Sequence, residues 1–339
     1  MKPIILVDPF PRTMELIFTK DKLKYLKSNY KLIERTNTSE ENFYNKNIPN
    51  AKFIIGQPTL KLSTLKKAKK LKAIFNVESN FLHNINYNYC YQNRIYILST
   101  SPVFAQPVAE MSLGLLLSIA RSIHIAHNDF LQGKEKYGGE ISQNNFLINN
   151  KNFGFIGFGD LAKATLPLIK PFAKKIFFYD PWITKLKLKS KNIQPLSLNA
   201  LMKNSDIIFV FATSTTTNKN MINYKNLNLI KDKSTLLIMS RAAVIDFKDL
   251  YKFLKTRNVF AGIDVYPVEP VEKKDPIRKL QNVIFSPHRA GALDVVFKEM
   301  GQIVIQDMKL ISKGLKPRYC KKADLKTISK IISKPVNTN

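Results

Sequence analysis

The sequence contains very little cysteine, with only Cys90 and Cys320 in 339 residues. Two cysteines so far apart in the chain cannot supply the disulfide framework of a small secreted domain or a cysteine-based metal site. Histidine is also scarce, and the one pair at helical spacing, His124 and His127, has no third ligand near it in the sequence. We therefore expect a protein of the reducing cytoplasm that holds no metal.

Long hydrophobic runs are also missing. The opening residues, MKPIILVDPF, contain one short apolar run followed by two prolines, which predicts a first strand rather than a signal peptide. The longest apolar stretch, around MSLGLLLSIA, lies between Glu110 and Arg121 and is shorter than the roughly 20 residues that a spanning helix needs. We therefore expect no membrane segment.

Acidic residues are few beside basic ones. The 54 lysines and arginines exceed the 25 acidic residues and give a formal net charge of +29, which is typical of proteins that meet nucleic acids or anionic membranes. However, the lysines are spread from Lys2 to Lys334, without the interleaved aromatic residues or zinc-ligand spacing of nucleic-acid-binding modules. We favour a solvated basic surface with no specific nucleic-acid partner, and a salt-dependent nucleic-acid binder stays the competing interpretation.

The apolar segments indicate an α/β protein. A chain of this length that is 45% hydrophobic can bury at least one large core, and its length favours about two domains. Short β-branched runs alternate with lysine-rich helical patterns, which predicts parallel sheets. A late helical pattern, VVFKEMGQIVIQDMKLIS, has the apolar spacing of a helix that packs back on the first domain. We predict two doubly wound parallel-sheet domains, one inserted into the other: a discontinuous flavodoxin-like domain (1–101 and 290–320), an inserted domain (102–289) and a polar C-terminal tail (321–339).

A glycine loop opens the inserted α/β series. The strand pattern NFGFIG leads into GFGDLA (157–162) and then a helical pattern, which is the context of the Rossmann dinucleotide fingerprint. Gly157 would allow the tight turn, and Gly159 would let the backbone approach a pyrophosphate. The N–H groups of Asp160 and Leu161, at the start of the helix, can hold phosphate oxygens.

The strand that follows, KIFFYD, ends at Asp180, which lies 21 residues after the second glycine of the loop (180 − 159). The fingerprint expects an acid about 20 residues on, where it binds the adenosine ribose. Such a carboxylate can accept both ribose hydroxyls and repels a 2′-phosphate, which predicts NAD rather than NADP, although nearby lysines weaken the charge argument. The alternative is that Asp180 only opens a turn with Pro181.

Four polar residues stand at or just after the ends of later apolar runs. His288 follows NVIFSP directly, Arg241 and Asp264 end similar runs, and Glu269 lies in the loop after Asp264. Because open α/β sheets bind ligands at the carboxyl ends of their strands, we expect one site. A cation for a carboxylate, an imidazole to move a proton and a carboxylate beside it are what hydride transfer to a 2-keto acid requires. From the residues alone, Glu269 is not distinguished from a solvated acid such as Glu272.

Five segments together resemble the D-isomer-specific 2-hydroxyacid dehydrogenases, and the resemblance covers nearly the whole chain. They are the glycine fingerprint, SRAAVIDFKDL, AGIDVYPVEP, FSPHRAG and the earlier PVAEMSLGLLL. The resemblance implies that Arg241 binds the substrate carboxylate and polarises the reacting oxygen. It implies that His288 gives or takes the proton and that Glu269 favours the protonated imidazole. It also implies a homodimer, with the long helix from Val103 near the contact.

The resemblance also implies cofactor contacts, and by it Asp264 would contact the nicotinamide carboxamide. With the fingerprint residues, the cofactor-binding set is Gly157, Gly159, Asp160, Leu161, Asp180, Thr213, Met239, Ser240, Arg241, Asp264, His288 and Gly291.

One loop departs from the family's pattern. Members commonly place a glycine-containing turn after the strand LKAIF, where backbone N–H groups bind the substrate carboxylate, but this chain reads NVESN (76–80). The substrate-binding candidates are therefore Val77, Glu78 and Ser79, together with Arg241. A carboxylate at position 78 repels an anionic substrate unless it faces away or meets a polar or cationic group. This suggests a substrate that is neither phosphoglycerate nor a plain short keto acid.

The sequence thus predicts an NAD-dependent oxidoreductase that transfers a hydride between nicotinamide and a D-2-hydroxy or 2-keto acid. The main alternative is an NADH-sensing regulatory or corepressor-like protein, because a fold does not determine its function. Formate or phosphite as hydride donor ranks below a hydroxy acid.

Overall fold

The structure is a computed structural model that describes residues 2–78, 80–138, 145–183 and 192–332. The chain divides into two compact units. The first unit comprises residues 1–104 and 292–339, and the second comprises residues 105–291. The junctions expected from the sequence differ from these by at most three residues (101 against 104, and 290 against 292).

The elements alternate between strand and helix through both units. The strands are β1 (Ile4–Asp8), β2 (Lys31–Glu34), β3 (Ala51–Gly56), β4 (Ala73–Asn76), β5 (Tyr96–Ser99), β6 (Lys151–Ile156), β7 (Ala173–Tyr179), β8 (Ile193–Pro195), β9 (Ile207–Val210), β10 (Thr235–Ile238), β11 (Phe260–Ile263), β12 (Val283–Phe285) and β13 (Lys321–Lys322). The α-helices are α1 (Met14–Ile17), α2 (Lys20–Asn29), α3 (Glu40–Asn47), α4 (Leu62–Lys67), α5 (Tyr87–Gln92), α6 (Ala105–Ala120), α7 (Ile123–Leu131), α8 (Asp160–Ile169), α9 (Leu198–Asn204), α10 (Tyr224–Leu227), α11 (Phe247–Thr256), α12 (Asp294–Ser312) and α13 (Leu325–Ile328).

The first unit is a sheet with the order β13-β5-β4-β3-β1-β2. All of its pairings are parallel except that of β13 with β5. Strand β4 is buried along its whole length and β3 along most of it, because helices cover both faces. On one face Phe53 and Phe75 pack with Met300 of α12, and on the other Ile54 packs with Tyr44 of α3.

The segment from residue 321 differs from the polar tail expected from its composition. Lys321 and Lys322 form β13, which pairs with Ser99 and Leu98 of β5, and Ile328 of α13 is buried. An edge strand needs only backbone hydrogen bonds, and lysine side chains are well suited to a sheet edge, so composition does not reveal this strand. The end of the predicted tail, 333–339, lies outside the described residues.

The second unit is a parallel sheet with the order β12-β11-β10-β9-β6-β7-β8. The chain starts at β6, moves outward to β8, and then returns to β9 on the other side of β6. The boundary between β6 and β9 is therefore the switch point at which doubly wound folds form a ligand crevice. Both sheets confirm the predicted fold class.

Helix α6 is the most apolar long helix of the described chain. By length and composition, the helical segment Ser101–Ala120 could cross a membrane, although 44% of its 18-residue apolar stretch is buried inside the protein. In the second unit α6 packs on α8, β10 and β11 and buries Val108 and Leu116. Packing of this helix on a sheet accounts for its apolar composition.

Candidate active site

The residues predicted for catalysis and cofactor binding lie along the carboxyl edge of the second sheet. Parallel strands bring their carboxyl ends to one side, so residues far apart in sequence become neighbours. In sheet order, the strand ends are followed by His288 (β12), Asp264 and Glu269 (β11), Met239, Ser240 and Arg241 (β10), Thr213 (β9), Gly157 and Gly159 (β6) and Asp180 (β7).

His288 and Glu269 form a hydrogen-bonded pair. The Nδ1 atom of His288 lies 2.7 Å from Oε2 of Glu269, and the two side chains are 51% and 37% exposed. The other carboxylate oxygen, Oε1, accepts the backbone N–H of Tyr266 at 2.9 Å. A carboxylate held at Nδ1 stabilises the protonated ring and orients it, and leaves Nε2 as the atom that can exchange a proton with a ligand.

Arg241 lies in the turn after β10, close to this pair. Its Nη1 donates to the carbonyl oxygen of Ser240 at 2.7 Å. Burial lowers the pKa of the Arg241 guanidinium, and the nearby charge of Glu269 acts in the opposite direction. Arginine stays protonated in proteins even so, and its planar guanidinium can bind a carboxylate through two hydrogen bonds.

Asp264 is buried beneath the turn that carries His288. It is 1% exposed. Its Oδ1 accepts the hydroxyl of Ser286 at 2.5 Å and the N–H of Arg289 at 2.9 Å, and its Oδ2 accepts the N–H of Ala290 at 3.2 Å. Ser286 is not among the residues predicted from the sequence, because nothing in its spacing distinguishes it from other serines.

Gly157 cannot be replaced without strain. It has a φ of +87°, and a Cβ there would lie 2.6 Å from the Cα of Ala212, so only glycine fits. A Cβ on Gly159 would meet no protein atom within 4 Å. Helix α8 begins at the next residue, Asp160, and directs its first N–H groups toward this space. These features fit a bound dinucleotide pyrophosphate.

Asp180 is fixed against the glycine loop. Its Oδ2 accepts the N–H of Phe158 at 2.8 Å, and its Oδ1 accepts the N–H of Trp182 at 2.9 Å. Each carboxylate oxygen has a further lone pair that can accept a ribose hydroxyl. The position of Asp180 at the end of β7 therefore fits the adenosine half of the same dinucleotide.

The other predicted cofactor residues occupy different settings. Met239 is buried in the core, and the hydroxyl of Ser240 donates to the carbonyl oxygen of Ala212 at 2.7 Å. Thr213 is exposed, and Gly291 follows the turn that contains His288.

No group of three or more histidine, cysteine, aspartate or glutamate side chains within the described ranges is placed to hold a metal ion.

In the first unit, the predicted substrate loop follows β4. Val77 and Glu78 are buried, and Ser79 lies outside the described residues. The N–H of Glu78 lies 3.1 Å from both the Oε1 atom of Gln57 and the Oδ1 atom of Asn76. This N–H therefore already has acceptors within the unit.

Arg12 provides a cation beside the same loop. Its Nε donates to the carbonyl oxygen of Val77 at 2.8 Å, and its guanidinium lies 4.9 Å from the centre of the Phe297 ring. Burial lowers the pKa of Arg12, while attraction to Glu78 raises it. Glu78, only 3% exposed, is thus balanced by a charge of the protein itself.

A cavity of about 440 Å³ lies at the carboxyl end of the first sheet. Its lining includes Glu78, Gln57, Glu40 and the ion pair between Arg35 and Asp8, whose atoms are 2.7 Å apart. Arg35 and Asp8 offset each other and Arg12 offsets Glu78, so the charge of Glu40 leaves this lining slightly acidic, in contrast to the basic chain as a whole.

The chain is similar in sequence to known proteins. The NAD-binding domain of the D-isomer specific 2-hydroxyacid dehydrogenases matches residues 113–290. A glyoxylate reductase of Korarchaeum cryptofilum is 28% identical over 233 residues, which cover 68% of this chain and 70% of that protein. A D-3-phosphoglycerate dehydrogenase of Methanocaldococcus jannaschii is 28% identical over 74% of this chain, which spans only 47% of that longer protein.

A solved structure is more similar still. The crystal structure of a phosphoglycerate oxidoreductase from Rhizobium etli superposes with a TM-score of 0.86 at 37% sequence identity. The match covers 95% of this chain and 99% of that one, so it includes both units.

Proposed function

The chain belongs to the D-isomer-specific 2-hydroxyacid dehydrogenases, a family of NAD-dependent oxidoreductases, and we propose that it interconverts a D-2-hydroxy acid and its 2-keto acid. Membership confirms the resemblance seen in the sequence. The observation that carries the proposal is the 2.7 Å contact between His288 and Glu269, at the same sheet edge as Arg241 and the glycine loop. The test is oxidation of NADH, followed by its absorbance, with a panel of 2-keto acids.

Each of the three side chains has one task in the proposed reaction. The guanidinium of Arg241 binds the substrate carboxylate and polarises the reacting oxygen. In keto-acid reduction, Nε2 of protonated His288 gives its proton to that oxygen, and in the reverse direction it takes the proton back. Glu269 holds the ring at Nδ1 and stabilises the imidazolium. The nicotinamide, when bound, supplies or accepts the hydride.

We further propose that the cofactor is NAD rather than NADP. The support is Asp180, whose carboxylate is fixed by two backbone N–H groups at the end of β7 and would repel a 2′-phosphate. The remaining predicted cofactor contacts, including Thr213, Met239, Ser240 and Gly291, belong to the same proposal. A specificity constant for NADPH equal to or above that for NADH would contradict it.

The substrate proposal rests on the loop after β4. The Glu78 carboxylate is offset by Arg12, and the remaining acidic charge of the cavity lining, that of Glu40, disfavours a phosphate group. We therefore propose a keto acid whose non-reacting end is polar and uncharged or cationic. A clear preference for glyoxylate, pyruvate or 3-phosphohydroxypyruvate over keto acids with larger polar side chains would contradict this.

We also propose a homodimer in the cytoplasm. Helix α7 buries none of its side chains within the chain, and Ile123, Ile125, Phe130 and Leu131 are exposed on it or at its ends. An apolar surface of this kind is typical of a protein interface. Light scattering after size-exclusion chromatography tests the dimer, and Phe130→Glu should weaken it.

The alternative proposal is an NADH-sensing regulatory protein. The paired His288 and Glu269 favour turnover, because a sensor needs no proton donor beside the cofactor. NADH binding without oxidation by any keto acid of the panel, in wild type and His288→Ala alike, would favour the sensor.

A further inference from the structure

We propose that Asp264 and Ser286 form a buried anchor that holds the backbone of His288 in position, so that Asp264 acts on catalysis through the imidazole. The inference rests on the proposed function, and it assigns these two residues a positioning role. The sequence-based expectation that Asp264 meets the nicotinamide is the competing assignment.

The backbone of His288 needs such an anchor. Its φ of +53° lies in the left-handed region, which residues other than glycine rarely adopt and which persists only where the surroundings hold it. The turn itself contributes one local hydrogen bond, from the N–H of His288 to the carbonyl oxygen of Ser286 at 3.1 Å. One such bond does not determine the direction of the ring.

The buried carboxylate of Asp264 supplies the further hydrogen bonds that fix the backbone of this turn. Its carboxylate accepts one hydroxyl from the residue two positions before His288 and two N–H groups from the residues directly after it, which are Arg289 and Ala290. The turn is therefore fixed on both sides of the histidine. A carboxylate that is 1% exposed is stable only with such donors, so the burial of Asp264 and the shape of the turn depend on each other.

Tyr266 connects this anchor to the partner of the imidazole. Its hydroxyl lies 3.0 Å from the carbonyl oxygens of both Ile263 and Ser286, at the ends of β11 and β12. Its own N–H holds Glu269. The imidazole and the carboxylate that orients it are therefore held by one frame, and a shift of the Ser286 turn changes their distance.

The two assignments make different demands on Asp264. Its Oδ1 already accepts two protein donors and its Oδ2 accepts one, so Oδ2 can accept one more. A cofactor amide would be an additional donor, whereas the anchor role uses the bonds that are present. Removing the anchor should change proton transfer at saturating cofactor, and removing a cofactor contact should change cofactor affinity.

Ser286→Ala is the decisive variant because it removes a donor to Asp264 and leaves the carboxylate in place. We expect kcat for keto-acid reduction to fall about tenfold or more, since small displacements of a proton donor are costly, with less than about a twofold change in the Kd for NADH. Ser286→Thr retains the hydroxyl and should restore most of kcat. Ser234→Ala is the matched control, because Ser234 is equally buried but precedes β10 at the opposite edge of the sheet.

Asp264→Asn tests the carboxylate itself. An amide group cannot accept all three donors, so we expect a larger loss of kcat than in Ser286→Ala, again with NADH affinity retained. An increase in the Kd for NADH with unchanged kcat at saturating NADH would overturn the proposal, and so would wild-type kcat and pH profile in Ser286→Ala. Circular dichroism and thermal unfolding establish that each variant is folded.

A second measurement separates this inference from the proposed function. The chain has four histidines, so the titration of His288 can be followed by NMR and assigned with His288→Gln. The anchor predicts that Ser286→Ala shifts the His288 titration midpoint or broadens its signal, and that Ser234→Ala does not. If no keto acid is reduced, the proposed function fails, and an unchanged His288 signal in Ser286→Ala then refutes the anchor independently.

Discussion

The backbone N–H of Phe158, between the two glycines of the loop, donates to the carboxylate of Asp180 at 2.8 Å. The residue predicted to bind the adenosine ribose therefore also fixes the loop predicted to hold the pyrophosphate. Both halves of the proposed dinucleotide site depend on one side chain.

Asp180→Ala is expected to lose the preference for NAD. The variant lacks the ribose acceptor, the charge that repels a 2′-phosphate and the bond to Phe158. We expect kcat/KM for NADH to fall by about tenfold or more, because a site built to accept hydroxyls loses both of them, and that for NADPH to fall less. Asp180→Asn, which removes the charge and keeps one acceptor oxygen, should lie between. An unchanged ratio of the two specificity constants would count against the role of Asp180.

The two loop glycines should respond differently to alanine. Gly157→Ala places a Cβ 2.6 Å from the Cα of Ala212 at a φ of +87°, so we expect a loss of about 2 kcal/mol or more in the free energy of unfolding. Gly159→Ala meets no protein atom. It should keep the wild-type Tm and weaken NADH binding, because the methyl group occupies the space predicted for the pyrophosphate.

Chemical denaturation and NADH fluorescence titration measure these two effects. Gly114→Ala is the control, since a Cβ there also meets nothing and the residue lies within α6, where alanine is the better helix former. Wild-type NADH affinity in Gly159→Ala would argue against the fingerprint assignment.

The pH profile should depend on Glu269. Keto-acid reduction needs the protonated imidazole, and Glu269 holds the Nδ1 side of the ring through a 2.7 Å contact. Glu269→Gln removes the charge of this partner and should lower kcat/KM for keto-acid reduction and change its pH profile. His288→Ala should reduce kcat by about 100-fold or more. A Glu269→Gln profile that superposes on the wild type would remove this residue from the site.

The buried cation of the first unit should matter for stability and substrate binding. Arg12→Leu leaves Glu78 without its compensating charge and Val77 without a donor, so we expect the free energy of unfolding to fall by about 2 kcal/mol. Arg12→Lys keeps the charge and should recover part of this. Under our substrate proposal, Arg12→Lys raises KM for the keto acid and leaves NADH affinity as in the wild type, and steady-state kinetics check this.

Neither cysteine should be reactive in the folded protein. Burial raises the pKa of the Cys90 thiol to about 12, and burial together with the charge of Asp307 raises the pKa of the Cys320 thiol. The thiolate is the nucleophile, so at pH 8 both thiols stay protonated and inert. Iodoacetamide followed by mass spectrometry should label two sites in denaturant and none before unfolding. Labelling of the native protein would show that one segment opens easily.

Hydrophobic periodicity was sufficient to predict the two sheets, because buried parallel strands consist of short β-branched runs. It also placed His288, Asp264 and Arg241 at strand ends. It could not predict that β13 pairs with β5, since backbone hydrogen bonds make this pairing and the two exposed lysines of β13 show no apolar pattern.

The contacts that position the site residues could not be predicted from the sequence either. Ser286 lies under Asp264, and Arg12 lies beside Glu78, only because distant segments meet in three dimensions. Polar residues of this kind have no periodicity. Ser286 is 22 positions from Asp264 in the chain (286 − 264), and Arg12 is 66 positions from Glu78 (78 − 12). The spacing indicates which residue type stands at each strand end. It does not indicate which neighbours orient each side chain.

The discontinuity of the first unit has a consequence for synthesis on the ribosome. The second unit, 105–291, is complete in the growing chain before α12 and β13 of the first unit emerge. Until then the cluster formed by Phe53 and Phe75 lacks the helix residues that cover it, among them Met300. Because domains fold as units during synthesis, we expect the nucleotide-binding unit to complete its folding before the first unit does, although most of the first unit precedes it in the chain.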